Sequence, residues 1–181
     1  NFHTVRELLE DFSGNAIRLS LVSSHYRSET DFSREGLEKA EKELKKLRKT
    51  VQRIRRSEGS KTFEGMDQKF ENAMDDDLNT ARGKQVLMEA VSRINSALEK
   101  GEGIKHETAD KIIELFGIIG VDIDIEITDA ERKMADKLLE RREELREQDK
   151  YGEADEIRDL MEELGFEIED SGNGAEWFKV A

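Results

Sequence analysis

Between Ser33 and Arg56 the apolar residues Leu37, Ala40, Leu44, Leu47, Val51 and Ile54 recur at steps of three and four. That spacing lines one side of an α-helix and neither side of a strand, so the stretch predicts a long amphipathic helix with Ser33 as its cap. A helix with one apolar face must bury it against other elements. Partners for it are easy to find, because no proline interrupts the 181 residues and the chain is dense in good helix formers. The fold class that follows is mainly α.

The remaining signals place those partners. Thr4 and Glu7 have the spacing of a capping box, which predicts a short helix through Leu8, Leu9 and Glu10. Ser13 or Asn15 opens the next, over about 16–24, whose Ile17, Leu19, Leu21 and Val22 are apolar on more than one side and predict burial between neighbours. Gly59, Ser60 and Gly65 mark a loop, after which Phe63, Met66, Phe70, Ala73 and Met74 resume helical spacing. Asn79 or Thr80 caps a helix through Leu87, Ala90, Val91, Ile94 and Leu98, ended by Gly101 and Gly103. Ala109, Ile112, Ile113 and Phe116 carry a shorter one. From Val121 to Ile127 apolar and acidic residues alternate strictly, the pattern of a strand or an extended linker, and the domain boundary is placed there. Thr128 and Glu131 form a second capping box, opening a helix through Met134, Leu138 and Leu145 that is expected to stop near Tyr151 and Gly152. A second helix from about Glu153 carries Ile157, Leu160, Met161 and Leu164, with Gly165 just past its end. Residues 166–170 and 175–180 then read as a hairpin around the turn Ser171 to Gly174. The expected architecture is an antiparallel helical bundle over 33–120, preceded by a tail over 1–32, then a linker over 121–127 and a small α+β domain of two helices and a β-hairpin over 128–181.

Charge narrows the function. Acidic residues outnumber basic ones by 43 to 30, for a net charge of -13, which argues against indiscriminate nucleic-acid binding and leaves a local site possible. With no cysteine there is no disulfide, thiolate zinc site or cysteine nucleophile. No window approaches a membrane span, and the opening Asn-Phe-His-Thr lacks the basic and apolar regions of a secretion signal, so a cytoplasmic location is expected. The positive stretch is 33–60, with ten basic residues against five acidic. Within it Lys45, Lys49, Arg53 and Arg56 fall on one helix face beside the apolar stripe. That face either contacts phosphates or is solvated and partly paired with Glu38, Glu41 and Glu43.

Three other patterns are weaker than they look. Asp75, Asp77 and Asn79 match the first positions of a calcium loop, but Thr80 replaces the required glycine and Val86 the bidentate glutamate, so an acidic lead-in to a helix is the better account and no metal site is assigned. Ser23, Ser24 and His25 have no acidic orienter at a recognisable spacing, and no catalytic residue is assigned. Neither G-x-x-x-x-G-K-[ST] nor G-x-G-x-x-G is present to cradle a phosphate. The C-terminal segment, by contrast, mixes Arg141, Arg142, Arg146, Tyr151, Asp155, Asp170 and Trp177. Aspartate accepts from the amines of cytosine or guanine, arginine donates to base acceptors or stacks, and aromatic rings offer stacking platforms, so such a set suits unstacked bases.

Three strings bring in a family. Asn1 to Leu9, continued by Leu21-Val22-Ser23-Ser24-His25-Tyr26-Arg27-Ser28 and Asp31-Phe32-Ser33, resembles the cysteinyl-tRNA synthetases from the Asn of their K-M-S-K-S-L-G-N segment onward. Phe70-Glu71-Asn72-Ala73-Met74-Asp75-Asp76-Asp77-Leu78-Asn79-Thr80 is similar to a second family stretch, and Ala154 to Asp159 with Leu164 to Asp170 and Trp177 to a third. The resemblance spans essentially the whole chain. It departs at Ala81 and Glu29, where the family usually has proline, and at Tyr151, where it often has tryptophan.

The resemblance implies the C-terminal half of a class I synthetase: the tail of the stem-contact region, a helical bundle of the DALR type and an anticodon-recognition domain. Anticodon contacts are implied at Arg146, Tyr151, Asp155, Asp170 and Trp177, with Lys45, Lys49, Arg53 and Arg56 touching the tRNA backbone. The implied partner is tRNA(Cys), with no DNA and no membrane. The parent would be a cysteine--tRNA ligase using ATP with Mg and a zinc ion, all in an upstream catalytic domain outside this sequence; the 181 residues alone are expected to carry no cofactor and to be inactive. Composition by itself would favour a different class, an acidic helical protein-interaction module without nucleic-acid function.

Overall fold

In a computed structural model five helices start where a side chain accepts from an otherwise orphaned backbone N–H. The structure describes residues 4–30, 33–171 and 174–181, so Asn1, Phe2, His3, Asp31 and Phe32 of the family-like strings, and Gly172 and Asn173 of the hairpin turn, lie outside the described residues. Thr4 caps α1 (Val5–Leu8), Ser13 caps α2 (Gly14–Leu21), Ser33 caps α3 (Arg34–Arg56) and Asn79 caps α5 (Thr80–Glu99). Between the last two, α4 (Met66–Asp75) begins at a left-handed Gly65, and α6 (Glu107–Ile118) follows α5. Thr128 caps α7 (Asp129–Glu147) through a full capping box, and α8 (Tyr151–Glu163) leads into the antiparallel pair β1 (Phe166–Ser171) and β2 (Gly174–Lys179). The molecule is therefore mainly helical with one small sheet, and it divides into two compact units, Asn1–Asp124 and Ile125–Ala181.

The stripe on α3 is buried along its whole length. Leu44, Leu47, Val51 and Ile54 pack with Leu87, Val91 and Ile94 of α5 and with Ile112 and Phe116 of α6, while Leu37 closes a smaller cluster with Phe12 and Ile17. One polar pair crosses this core. Asn95 Nδ2 donates to Thr50 Oγ1 at 2.9 Å, and the Thr50 hydroxyl donates to the Lys46 carbonyl at 2.8 Å. Satisfied in this way, the pair holds α3 and α5 in one register at little cost. The expectation for α2 is met only in part: Ala16, Ile17 and Leu19 are buried, but Leu21 is half exposed because the helix ends there, before its second apolar side meets a neighbour.

The alternating stretch from Val121 forms no strand. Val121 and Ile123 are fully buried in the first unit's core, the Asp122 N–H donates to Asn15 Oδ1 at 2.9 Å, and Asp124 takes both Arg55 guanidinium nitrogens at 2.6 and 3.0 Å. Its alternation thus records which side chains enter a core, with the backbone tied by side chains instead of by a ladder. Two loops of this unit are joined as well. Ser57 Oγ lies 3.1 Å from the Ile104 carbonyl and 3.2 Å from its N–H, and Lys61 and Ile104 form a parallel bridge. Gly59 and Gly103 cross so closely that a Cβ on Gly59 would fall 2.1 Å from the Gly103 carbonyl carbon, and one on Gly103 would fall 1.9 Å from the Glu58 carbonyl oxygen.

In the second unit Ala135, Met161, Phe166, Ile168 and Trp177 form the core, supported by Ile127, Leu138 and Ile157. The break between α7 and α8 comes earlier than the sequence suggests. It is made by Asp149, whose φ of 58° is left-handed, while Gly152 lies inside the first turn of α8. Aspartate tolerates that conformation, so no glycine is needed.

Candidate nucleic-acid interface

On β1 the residues Phe166 and Ile168 are buried, and the pleat puts Asp170 next on the same side. That side meets α7, where Arg142 and Arg146 are one turn apart. Arg142 reaches Asp170 through both terminal nitrogens, Nη1 to Oδ1 and Nη2 to Oδ2 at 3.0 Å each, and Arg146 Nη1 adds a third bond to Oδ2 at 3.2 Å. Glu143 Oε1 takes a further bond from Arg142 at 2.6 Å. Arg142 is 2% exposed while the Asp170 carboxylate is 45% exposed, so the pair is buried beneath and open above. The Arg142 fork, and secondarily Arg146, hold Asp170 below the usual carboxylate range, and the same bond raises Arg142. Asp170 is therefore ionised and aimed, with one lone-pair direction on Oδ1 unfilled. Its side chain bonds to α7; the carboxylate is an ion-pair partner of the two arginines.

Arg146 keeps the remainder of its guanidinium toward solvent, at 39% exposure. An acceptor and a donor thus stand side by side on rigid elements. Just beyond the turn, Tyr151 is exposed at the start of α8 and its hydroxyl donates to Asp149 Oδ1 at 3.1 Å. Asp155 lies one helical turn further, exposed on the same face. Among the described residues its side chain makes no hydrogen bond or ion pair, so its carboxylate is uncommitted.

Trp177 requires a correction. It is 4% exposed, its indole N–H donates to Asp136 Oδ1 at 2.8 Å, and its ring meets Phe166 edge-on with centroids 5.5 Å apart. A ring so enclosed has no free face for a base. The register explains why, since Trp177 pairs with the buried Ile168 and shares its side of the sheet. Arg142 is the converse case: it was one basic residue among several in the sequence, and in the structure it anchors the site.

In the first unit, Lys45, Lys49 and Arg53 are half-buried along the border of the α3 stripe, and Arg56 is exposed. Long stems lying on apolar surface account for that partial burial. Two strings that the sequence presents far apart also meet here. Asp77, with a left-handed φ of 57°, accepts from the Tyr26 hydroxyl at 2.8 Å and pairs with Arg27 at 3.1 Å, while His25 stacks on Tyr26. The acidic lead-in to α5 is therefore also a clasp on the 23–28 loop.

Comparison with known proteins bears directly on this geometry. Residues 69–123 match the DALR domain, and residues 129–177 match the cysteinyl-tRNA ligase anticodon binding domain. The chain thus carries a DALR domain followed by an anticodon binding domain of the cysteinyl-tRNA ligase type. A cysteine--tRNA ligase of Heliobacterium modesticaldum is 34% identical across 99% of the chain, which covers 43% of that protein. One of Thermococcus onnurineus is 32% identical over 100% of the chain and 43% of its own length, and one of Streptococcus agalactiae is 33% identical over 98% and 38%. The chain thus spans about two fifths of the length of these curated relatives. Arg146, Tyr151, Asp155 and Asp170 all fall within the matched anticodon-binding span; Lys45, Lys49, Arg53 and Arg56 lie outside both matched spans. No helix among the described residues is long and apolar enough to cross a membrane.

Proposed function

We propose that this part of the ligase family holds tRNA(Cys) and reads its anticodon through the second unit, in a cytoplasmic cysteine--tRNA ligase whose catalytic step is made by an upstream domain. The observation that carries the reading is the Arg142–Asp170–Arg146 arrangement inside the span matched as anticodon-binding. An aspartate oxygen beside an arginine N–H presents an acceptor next to a donor, which suits the edge of a base carrying an amine beside an acceptor. Asp155 supplies a second acceptor, and Tyr151 an exposed ring for stacking. Arg56 and the half-buried Lys45, Lys49 and Arg53 would meet phosphates and carry no base information. ATP with Mg and a zinc ion are proposed for the upstream domain.

The test is binding of the tRNA(Cys) anticodon stem-loop and of base-substituted versions to the wild type and to Asp155→Asn. Preference for the cognate loop, reduced by the substitution, supports the reading. Equal and weak binding of every loop would leave an acidic protein-interaction module as the better description.

A further inference from the structure

The joined loops 57–63 and 100–106 form one wall of an open pocket of about 330 Å³ whose other wall is the exposed side of α5. Ser92, Ser96 and Lys100 line it at steps of four, with Arg93 beside them and Lys61 and Phe63 opposite. Phe63 packs against the first unit's core and forms a fixed floor, with Lys61 Nζ 5.6 Å and Arg93 Cζ 5.8 Å from its ring centroid. Lys61 is paired with Glu102, which holds that carboxyl below its ordinary range. The side chains of Arg93 and Lys100 make no hydrogen bond or ion pair among the described residues, and neither do the hydroxyls of Ser92, Ser96 and Thr62. Three cations against one acid, in a chain of net charge -13, make a local positive basin with several unused donors.

We propose that this pocket seats a phosphate group. Unused guanidinium, ammonium and hydroxyl donors converging over an aromatic floor match a tetrahedral anion with several acceptor oxygens. The glycine crossing and the Lys61–Ile104 bridge keep one wall in place before any ligand arrives. The phosphate comes either from the backbone of bound tRNA, a source that rests on the function proposed above, or from free phosphate, which does not.

Two measurements separate the sources. In the first, amide NMR shifts are followed while inorganic phosphate is titrated at constant ionic strength against chloride. Saturable shifts at Thr62, Ser92 and Arg93 are expected, about tenfold weaker in affinity for Arg93→Gln. In the second, tRNA affinity is measured against salt for wild type, Arg93→Gln and Lys100→Gln; the slope should shallow by about one unit per lost contact, alike for cognate and altered anticodons. Phosphate shifts with an unchanged tRNA slope identify free phosphate as the ligand, and a changed slope identifies RNA phosphate. No saturable shift together with an unchanged slope overturns the proposal. Both substituted side chains are exposed, and an unaltered spectrum away from the pocket verifies that the variants fold.

Discussion

Asp155 and Asp170 are both acidic, both exposed and both inside the anticodon-binding span, yet the structure gives their substitutions opposite signatures. Asp155→Asn disturbs no internal partner, so unfolding should change by less than about 0.5 kcal/mol. Cognate stem-loop binding should weaken by about 1–3 kcal/mol if a base amine bonds there. Asp170→Asn leaves the buried Arg142 facing an amide. Because the carboxylate is 45% exposed, the full cost of breaking a buried pair is screened, and a loss of about 1–3 kcal/mol in urea unfolding is expected. Arg142→Met should cost less than Asp170→Asn, since an apolar side chain suits the buried position and the freed carboxylate is left in water. The reverse order would show that Arg142 is not held as described. Arg142 was hard to single out from the chain because its burial depends on a partner 28 residues away; the signal available was the pleat, which puts Asp170 in the row of Phe166 and Ile168.

Helix starts were legible because capping is local: Thr4, Ser13, Ser33, Asn79 and Thr128 each bond within three residues of themselves. Ends were less so, as Asp149 shows, because an aspartate can take the conformation for which glycine is the usual marker. The alternation from Val121 left a strand and an extended linker open, since period two reports facing and not pairing; the structure has no strand there, and the division between the units falls within the stretch. At this scale the α7 entry has a pH dependence. Lys179, then the Thr128 N–H and hydroxyl, bring Glu131 down to about 2 from an ordinary 4.5, and Asp170 is depressed in the same direction. A depressed carboxyl stabilises the folded state fully above its unfolded value and loses that contribution as pH falls through its folded value. Urea midpoints of the second unit should therefore fall between about pH 4.5 and about 2, and Glu131→Gln should flatten that fall. In the first unit, Gly59→Ala or Gly103→Ala would force backbone apart at the loop crossing, with an expected loss of about 1–3 kcal/mol.

Across the whole molecule, a net charge of -13 and an RNA partner are compatible only if contacts are local. Replacing two of Lys45, Lys49, Arg53 and Arg56 should weaken cognate and anticodon-altered tRNAs equally and shallow the salt slope by about one unit per contact. An unchanged slope would mark that face as merely solvated. Assayed by itself for cysteine-dependent ATP–pyrophosphate exchange, the chain is expected to be inert if, as proposed above, catalysis belongs to an upstream domain. The burial of Trp177, which removes it from the set of base-stacking rings, has another use. It is the single tryptophan of the 181 residues, and it lies in the core of the second unit. Its fluorescence is thus an intrinsic optical label for that unit alone, with emission expected at short wavelength while the indole is enclosed. Far-ultraviolet circular dichroism sums the helices of both units and is weighted toward the first, which holds α1 to α6. Recorded together during one melt, the two signals would show whether the units unfold in one transition or in two.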